Sequence, residues 1–264
     1  MPKATEWILA VMMTLVSGIA ARAHEEHGAE SERGANYARP LRDYSCRRVA
    51  GWSVLMEEEM LSKDAALTER SLKRLESKLN DIRGLLPSHT LSLLQRIPIF
   101  VLYGTKSSHG GRSSGAQFLA QNAPEHNPLL DPRMASCIVV YSAEHFCGLS
   151  DFGATKILLH ELAHAWHLEQ WPENQPDIVG TYRGAMEKRL YHLVRKADGS
   201  KIEKTYATQN HLEYFAELSC VWFLGNDSFP FDRGDLSLYD PTGAHLMRTF
   251  WSAPGKRVEG VARK

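Results

Sequence analysis

The sequence lacks an excess of charge of either sign. Its 31 lysines and arginines are balanced by 31 aspartates and glutamates. A chain with balanced charge has no electrostatic footprint for nucleic acid or for an anionic membrane surface. We therefore expect no nucleic-acid partner and no stable association with a membrane.

Long apolar runs are also scarce. The one clear run, from Trp7 to Ile19, is shorter than the about 20 residues that a membrane-spanning helix needs. Lys3 precedes this run and Ala21-Arg22-Ala23 follows it, which is the order of a charged segment, an apolar core and a small-residue cleavage site. Residues 1–23 are therefore predicted to be a signal peptide, and the protein is expected to be secreted, either extracellular or periplasmic. An uncleaved N-terminal anchor is the alternative.

Cysteine is rare, and all four cysteines follow the predicted cleavage site. An even number in an exported chain is compatible with two disulfides, although the sequence does not determine the pairing. Cys137 and Cys147 are the favoured pair because they flank a predicted strand and close a short loop at little entropic cost. Cys46 would then pair with Cys220. Four buried free thiols are the alternative.

The chain contains no internal repeat, and a single domain is the simplest organisation for 264 residues. Residues 24–40 are polar without an apolar period and are predicted to be a flexible leader. The domain is predicted to cover residues 41–264. Leucine and isoleucine recur at helical spacing from Leu67 to Ile82, which predicts an amphipathic helix.

Short β-branched and aromatic runs at Ile99–Tyr103 and Cys137–Tyr141 predict strands. The glycine- and serine-rich segment Gly104–Gly115 between them is predicted to be a mobile loop. Further helices are predicted at 151–167, 176–195 and 211–223, with a polar turn at 197–204 and a loop-rich tail at 229–251. Strands followed by helices in one chain favour an α+β fold.

The clearest chemical motif is His160-Glu161-Leu162-Ala163-His164, within the helix predicted at 151–167. His160 and His164 lie roughly 40° apart around a helix axis, so both imidazoles can reach one zinc ion. Glu161 lies beside them and can accept a proton from a water that zinc activates. A surface pair of histidines beside a solvated glutamate is the alternative. We expect one Zn²⁺ per chain, with Glu161 as the general base.

A catalytic zinc usually has a third protein ligand. His167 shares the helix face of His160, but it lies about 10.5 Å further along the axis, which favours a supporting or core role over ligation. Glu213 and Glu217 lie one turn apart on the helix predicted at 211–223. Burying two carboxylates on an apolar helix requires partners such as a metal and its histidines, unless they form an exposed acidic edge.

Tyr206, Glu213 and the Phe215-Ala216-Glu217 segment resemble the second motif of the anthrax lethal factor-like metallopeptidases, a group that includes the bacterial Pro-Pro endopeptidases. In that family a His-Glu-x-x-His motif is followed downstream by a tyrosine and, seven residues later, a glutamate. Tyr206 and Glu213 have this spacing. The resemblance covers about residues 137–224, and nothing in this chain is similar to the partner-binding domains of the toxin.

The resemblance implies a role for each matching residue. His160, His164 and Glu213 would bind zinc, and Glu161 would be the general base. Tyr206 would stabilise the oxyanion, and Glu217 would support the ligands from behind. It also implies a zincin-like α+β domain with a small sheet beside the active-site helix.

The function that follows is a secreted zinc-dependent endopeptidase acting on peptide or protein substrates. An extended substrate is expected to pair with the strand near Ile138 to Tyr141. One rival hypothesis is a catalytically silent zinc-containing binding module of the same fold, against which the intact Glu161 argues. The other is a non-enzymatic surface protein with incidental histidines.

Overall fold

The computed structural model of the protein describes residues 36–254, which belong to one compact unit. The predicted signal peptide, and the part of the predicted leader before residue 36, lie outside the described residues. Tyr37, also assigned to the leader, is buried and donates its backbone N–H to the Leu129 carbonyl. Across the described range, no helix is long and apolar enough to cross a membrane.

A five-stranded mixed sheet forms the centre of the fold, and its strand order is β1-β2-β3-β5-β4. β1 and β2 form an antiparallel hairpin whose turn residues, Ala50 and Gly51, both have positive φ, as a tight hairpin turn requires. β3 runs parallel to β2 and to β5, whereas β4 is antiparallel to β5. The strands are β1 Tyr44–Val49, β2 Trp52–Glu57, β3 Ile99–Val101, β4 Ala116–Leu119 and β5 Cys137–Val140.

Alternation along the strands gives the sheet two apolar faces. Ile99 and Val101 of β3 point into the larger core with the helices, whereas Phe100 points into a smaller cluster on the opposite face. Tyr37 and Met134 cover that smaller cluster. The central strands are therefore buried on both sides, which explains their uninterrupted apolar sequence.

Helices make up most of the larger core. They are α1 Glu58–Lys63, α2 Ala65–Leu85, α3 Ser88–Leu94, α4 Ala123–His126, α5 Ala143–Gly148, α6 Asp151–Gln170, α7 Pro176–Glu187, α8 His211–Phe223, α9 Arg233–Tyr239 and α10 Pro241–Ser252. A second sheet consists of the hairpin β6 His192–Arg195 and β7 Lys201–Lys204. Short 3-10 turns occur at Gly104–Lys106, Pro132–Met134 and Tyr206–Thr208. The mixed α+β class and the helices predicted around 67–82, 151–167 and 211–223 are confirmed.

The helix predicted at 176–195 is wrong in its second half. α7 ends at Glu187, where Arg189 adopts a left-handed conformation and the N–H of Leu190 returns to the Ala185 carbonyl. This is the geometry of a Schellman cap, which usually carries glycine rather than arginine. The following residues form β6, and the predicted polar turn at 197–204 includes β7.

The tail predicted to be loop-rich is largely helical. Asp232 and Asp240 accept N–H groups of the first turns of α9 and α10. Pro241 is the first residue of α10, a position where its missing N–H costs nothing. Proline therefore begins a helix here, within the segment predicted to be loop-rich.

The glycine- and serine-rich loop predicted to be mobile is tied to β2 and α1 by carboxylates. Buried Glu57 accepts the Ser107 hydroxyl at 2.6 Å and pairs with buried Arg42 at 3.0 Å. Glu59 accepts the backbone N–H of Ser108 at 2.9 Å. These bonds fix the path of the chain as it approaches β4.

The two predicted disulfides are absent, and all four cysteines lie in the described part of the chain. Cys137 points into the smaller cluster on one face of the sheet, whereas Cys147 contacts Ser71 of α2 on the other side. Cys46 is exposed on β1, and Cys220 is buried in α8. The sheet separates the first predicted pair, so proximity in sequence was a poor guide to distance.

Candidate metal centre

The helix α6 carries the first motif through the middle of the core. The Ser150 hydroxyl caps it by accepting the N–H of Gly153 at 3.0 Å. From Leu158 to His167 every residue is buried, so this part of the helix has no solvent face. His160 and His164 are each 6% exposed and Glu161 is 1% exposed. The surface-pair alternative does not hold in this structure.

The helix α8 packs against α6 and carries the acidic residues. Asn210 caps it, and its side-chain oxygen accepts the N–H groups of Leu212 and Glu213 at 2.9 Å. Glu213 and Glu217 are 4% and 8% exposed, so they do not form an exposed acidic edge. Their carboxylates point at the histidines of α6.

Three side-chain atoms converge between the two helices. The distance from His160 Nε2 to Glu213 Oε2 is 3.0 Å, and the distance from His164 Nε2 to the same oxygen is 3.3 Å. The two Nε2 atoms lie 3.1 Å apart. Tetrahedral ligands at about 2.0–2.1 Å from a zinc ion are about 3.3 Å from one another. The donor set and its spacing therefore fit a metal ion such as zinc.

Glu217 determines the orientation of His160. Its Oε1 lies 3.1 Å from His160 Nδ1, which gives that nitrogen an acceptor for its proton. With a metal ion bound, a proton kept on Nδ1 by Glu217 would leave the lone pair of Nε2 for the ion, on the side that faces Glu213 and His164. In metal sites a carboxylate placed behind a ligating imidazole fixes its tautomer, and Glu217 has that position relative to His160.

The electrostatics of the cluster favour ionised carboxylates. Burial opposes the charge of Glu217, but the charge of Lys156 and the hydrogen bond to His160 lower its pKa to about 2. Burial also opposes the charge of Glu213, yet the two histidines hold its pKa well below the usual value. Hydrogen bonds with Cys220, Glu213 and Glu217 raise the pKa of His160 against the effect of its burial. The cluster is therefore suited to hold positive charge, whether a proton or a metal ion.

Glu161 is bonded to the sheet. Its Oε2 accepts the backbone N–H of Phe118, in β4, at 2.7 Å. The carboxylate is thus held by the main chain of a strand that is 43 residues away in sequence. No local sequence signal predicted this contact.

Tyr206 lies in a 3-10 turn just before α8, with its ring 5.8 Å from the ring of His160. Burial and the nearby charge of Glu213 raise the pKa of its hydroxyl. The phenol therefore stays protonated near neutral pH and can act as a hydrogen-bond donor. His160, His164 and Glu213 converge in one cluster, the Tyr206 ring lies beside His160, and Glu161 is the neighbour of His160 on α6.

His167 stands apart from the three converging atoms. Its Nε2 donates to the Pro172 carbonyl at 3.2 Å, and its ring packs 5.3 Å from that of Phe215. Burial lowers its pKa to about 3, which keeps it neutral. It is a core histidine, as the axial spacing along the helix indicated.

The strand at the open edge of the sheet is β4 rather than β5. Within residues 36–254, β5 lies between β3 and β4, so the expectation that Ile138–Tyr141 pairs with a substrate is wrong. The N–H of Tyr141 bonds the Gly115 carbonyl, and alternation along the strand then turns the backbone of Ala116 and Phe118 outward. The contact between the Phe118 N–H and Glu161 agrees with this orientation.

Lys156 is a further residue of the site that the sequence analysis missed. Its Nζ lies 3.1 Å from Glu217 Oε2. It precedes His160 by one helical turn and therefore shares its face of α6, a signal that the sequence contained.

Neither a family model nor a curated protein or solved structure matches the chain.

Proposed function

We propose that this protein is a zinc-dependent endopeptidase. The observation that carries the proposal is the convergence of His160, His164 and Glu213 at separations of 3.0–3.3 Å, with Glu161 adjacent on the same helix. Two imidazoles and one carboxylate are a ligand set that catalytic zinc sites use, with one position left for water or substrate.

The resemblance to the lethal factor-like metallopeptidases supports the same proposal. His160, His164, Tyr206 and Glu213 match the two motifs of that family in spacing, and in the structure they share one site. A zincin-like domain is accordingly our proposal for the fold family. The signal-like residues 1–23 motivate the companion proposal that the enzyme is exported.

A bound zinc ion would supply a Lewis acid that polarises the scissile carbonyl and lowers the pKa of water toward about 7. Glu161 would accept a proton of the attacking water, while the Phe118 N–H holds its carboxylate in place. Glu161 then passes that proton to the nitrogen of the leaving amine. The Tyr206 hydroxyl donates a hydrogen bond to the oxygen on which negative charge develops.

The edge of β4 offers a place for an extended substrate. The outward backbone groups of Ala116 and the carbonyl of Phe118 lie on this edge, whereas the Phe118 N–H is already bonded to Glu161. A peptide that adds to this edge gains main-chain hydrogen bonds without depending on its sequence. Such pairing brings the substrate backbone past the general base.

The test is digestion of a proteome-derived peptide library by the purified protein and by the variant Glu161→Gln. The wild type is expected to cleave internal peptide bonds. The variant is expected to bind the same amount of zinc and to lose at least about 10²-fold in rate, because only proton transfer is removed. A zinc-loaded wild type that cleaves nothing would instead indicate the catalytically silent binding module. Equal rates for both proteins would refute the role of Glu161.

A further inference from the structure

We propose that Lys156 is a positioning residue of the metal centre, and that its ammonium group fixes Glu217 in the orientation that aligns His160. This inference rests on the proposed metal site and goes beyond the residues that the family motifs contain. Lys156 acts through two other side chains and does not face the three ligand atoms.

A chain of contacts connects Lys156 to the ligand atoms. Its Nζ lies 3.1 Å from Glu217 Oε2, and Glu217 Oε1 lies 3.1 Å from His160 Nδ1. The opposite nitrogen, His160 Nε2, faces Glu213 at 3.0 Å. A carboxylate with one oxygen held by a cation cannot rotate freely, so its other oxygen stays in line with the imidazole.

Lys156 is itself held in place from the other side. Its Nζ donates to Asn226 Oδ1 at 2.9 Å and lies 3.9 Å from Asp227. The Lys156 side chain is 22% exposed, and that of Glu217 is 11% exposed. An ion pair in so restricted a site is screened less by solvent than a surface pair. The position of the Lys156 ammonium is therefore determined by the turn after α8 as well as by α6.

Lys156 also compensates negative charge at the metal centre. Glu161, Glu213 and Glu217 are all buried, so their combined negative charge exceeds that of one divalent cation. Burying an uncompensated charge is costly. The ammonium of Lys156 compensates the remaining charge at the carboxylate that does not face the three ligand atoms.

A simpler interpretation is that Lys156 only ties α6 to the turn after α8. The two interpretations differ in what Lys156→Met changes. A structural tie contributes to the free energy of unfolding, and its loss leaves zinc affinity unchanged once the protein is folded. A positioning residue also changes the affinity and the ligand geometry.

The matched control is Lys78→Met. Lys78 is also a shielded lysine, with a side chain 9% exposed that pairs with Asp81 at 3.2 Å and with Asp151 at 3.4 Å. Asp151 lies about 13.5 Å along α6 from His160, at 1.5 Å per residue. Lys78→Met therefore removes a shielded lysine and its ion pairs with two exposed aspartates without touching the centre.

The experiment measures zinc affinity by competition with a chelator, and ligand geometry from the visible absorption of the Co²⁺-substituted protein. Lys156→Met is expected to weaken zinc binding by about 10–100-fold and to alter the Co²⁺ spectrum. Lys156→Arg should restore most of the affinity because it keeps the charge, and Lys78→Met should bind zinc as the wild type does. In a Glu217→Gln background, Lys156→Met should have little further effect, because both act through one carboxylate.

Wild-type affinity in Lys156→Met, or an equal loss in Lys78→Met, would overturn the inference. If Lys156→Met fails to fold, the same comparison is made between Lys156→Gln and Lys156→Arg, and equal affinities for those two would overturn it. A wild type that takes up no zinc would instead contradict the proposed function, so the two failures are distinguishable.

Discussion

The location of one proton on His160 determines what the centre can bind. With its proton on Nδ1, donated to Glu217, this imidazole presents a lone pair to the site. With the proton on Nε2, it would present a hydrogen to Glu213 instead. A metal ion would take the lone pair of Nε2, and Glu217 would then accept the proton that remains on Nδ1, so the first form is the one that ligates metals. The buried carboxylate of Glu217 therefore supports the histidine that it contacts.

Tyr206→Phe tests the proposed oxyanion donor. The substitution removes one hydroxyl and leaves the ring beside His160, so zinc affinity should be unchanged. The value of kcat is expected to fall by about 10²–10³, as it does when one oxyanion donor is lost. Steady-state kinetics and zinc titration on the same preparation measure both quantities. An unchanged kcat would assign the oxyanion role to another residue.

At the scale of elements, the sequence predicted the parts of the site that depend on local spacing. His160 and His164 share a helix face, and Glu213 and Glu217 share another, because positions four residues apart always do. The contact of Glu161 with Phe118 depends on how a distant strand packs, which local spacing does not encode. The end of α7 was missed for a different reason, since its left-handed cap carries Arg189 where glycine is usual.

The start of α10 shows how tightly one of the missed helices is packed. Asp240 accepts the hydroxyl of Tyr191 at 2.8 Å and also that of Tyr214. A methyl group on Gly243 would lie 2.6 Å from Asp240 Oδ2 and 2.7 Å from the Tyr214 hydroxyl. The close approach of α10 to α8 therefore requires glycine at this position.

Gly243→Ala is expected to lower the free energy of unfolding by about 1–3 kcal/mol, the usual cost of overpacking a core. Gly180→Ala is the matched control, because Gly180 lies within α7 and its added methyl would meet no atom within 4 Å. The control should raise stability by up to about 1 kcal/mol, since alanine favours a helix interior. Urea unfolding of the three proteins provides the comparison. Equal stability of wild type and Gly243→Ala would contradict this account of the packing.

For the whole molecule, burial of His167 makes stability depend on pH. Its folded pKa of about 3 lies below the value of about 6.5 for an unfolded histidine. Between these values the unfolded chain binds more protons, so the free energy of unfolding falls as the pH decreases. The contribution is about 1.4 kcal/mol for each pH unit in that window, and it vanishes above pH 6.5.

His167→Gln should remove this contribution while keeping a donor for the Pro172 carbonyl. Urea unfolding of the metal-free protein at pH 7.5 and at pH 5.0 should show a smaller loss of stability for the variant than for the wild type. His245→Gln, at an exposed position of α10, is the control and should behave as the wild type. If all three proteins lose the same unfolding free energy between pH 7.5 and pH 5.0, the pH dependence does not come from His167.

The central claim is that α6 and α8 together form a three-residue zinc site. The most direct measurement is the zinc content and affinity of the purified protein after removal of metal and reloading, with Glu213→Ala and Glu217→Ala beside it. The account predicts one zinc per chain in the wild type, a severe loss of affinity in Glu213→Ala, and a loss of about 10–100-fold in Glu217→Ala. A wild type that takes up no zinc, or a Glu213→Ala variant that binds it as tightly as the wild type, would contradict the claim.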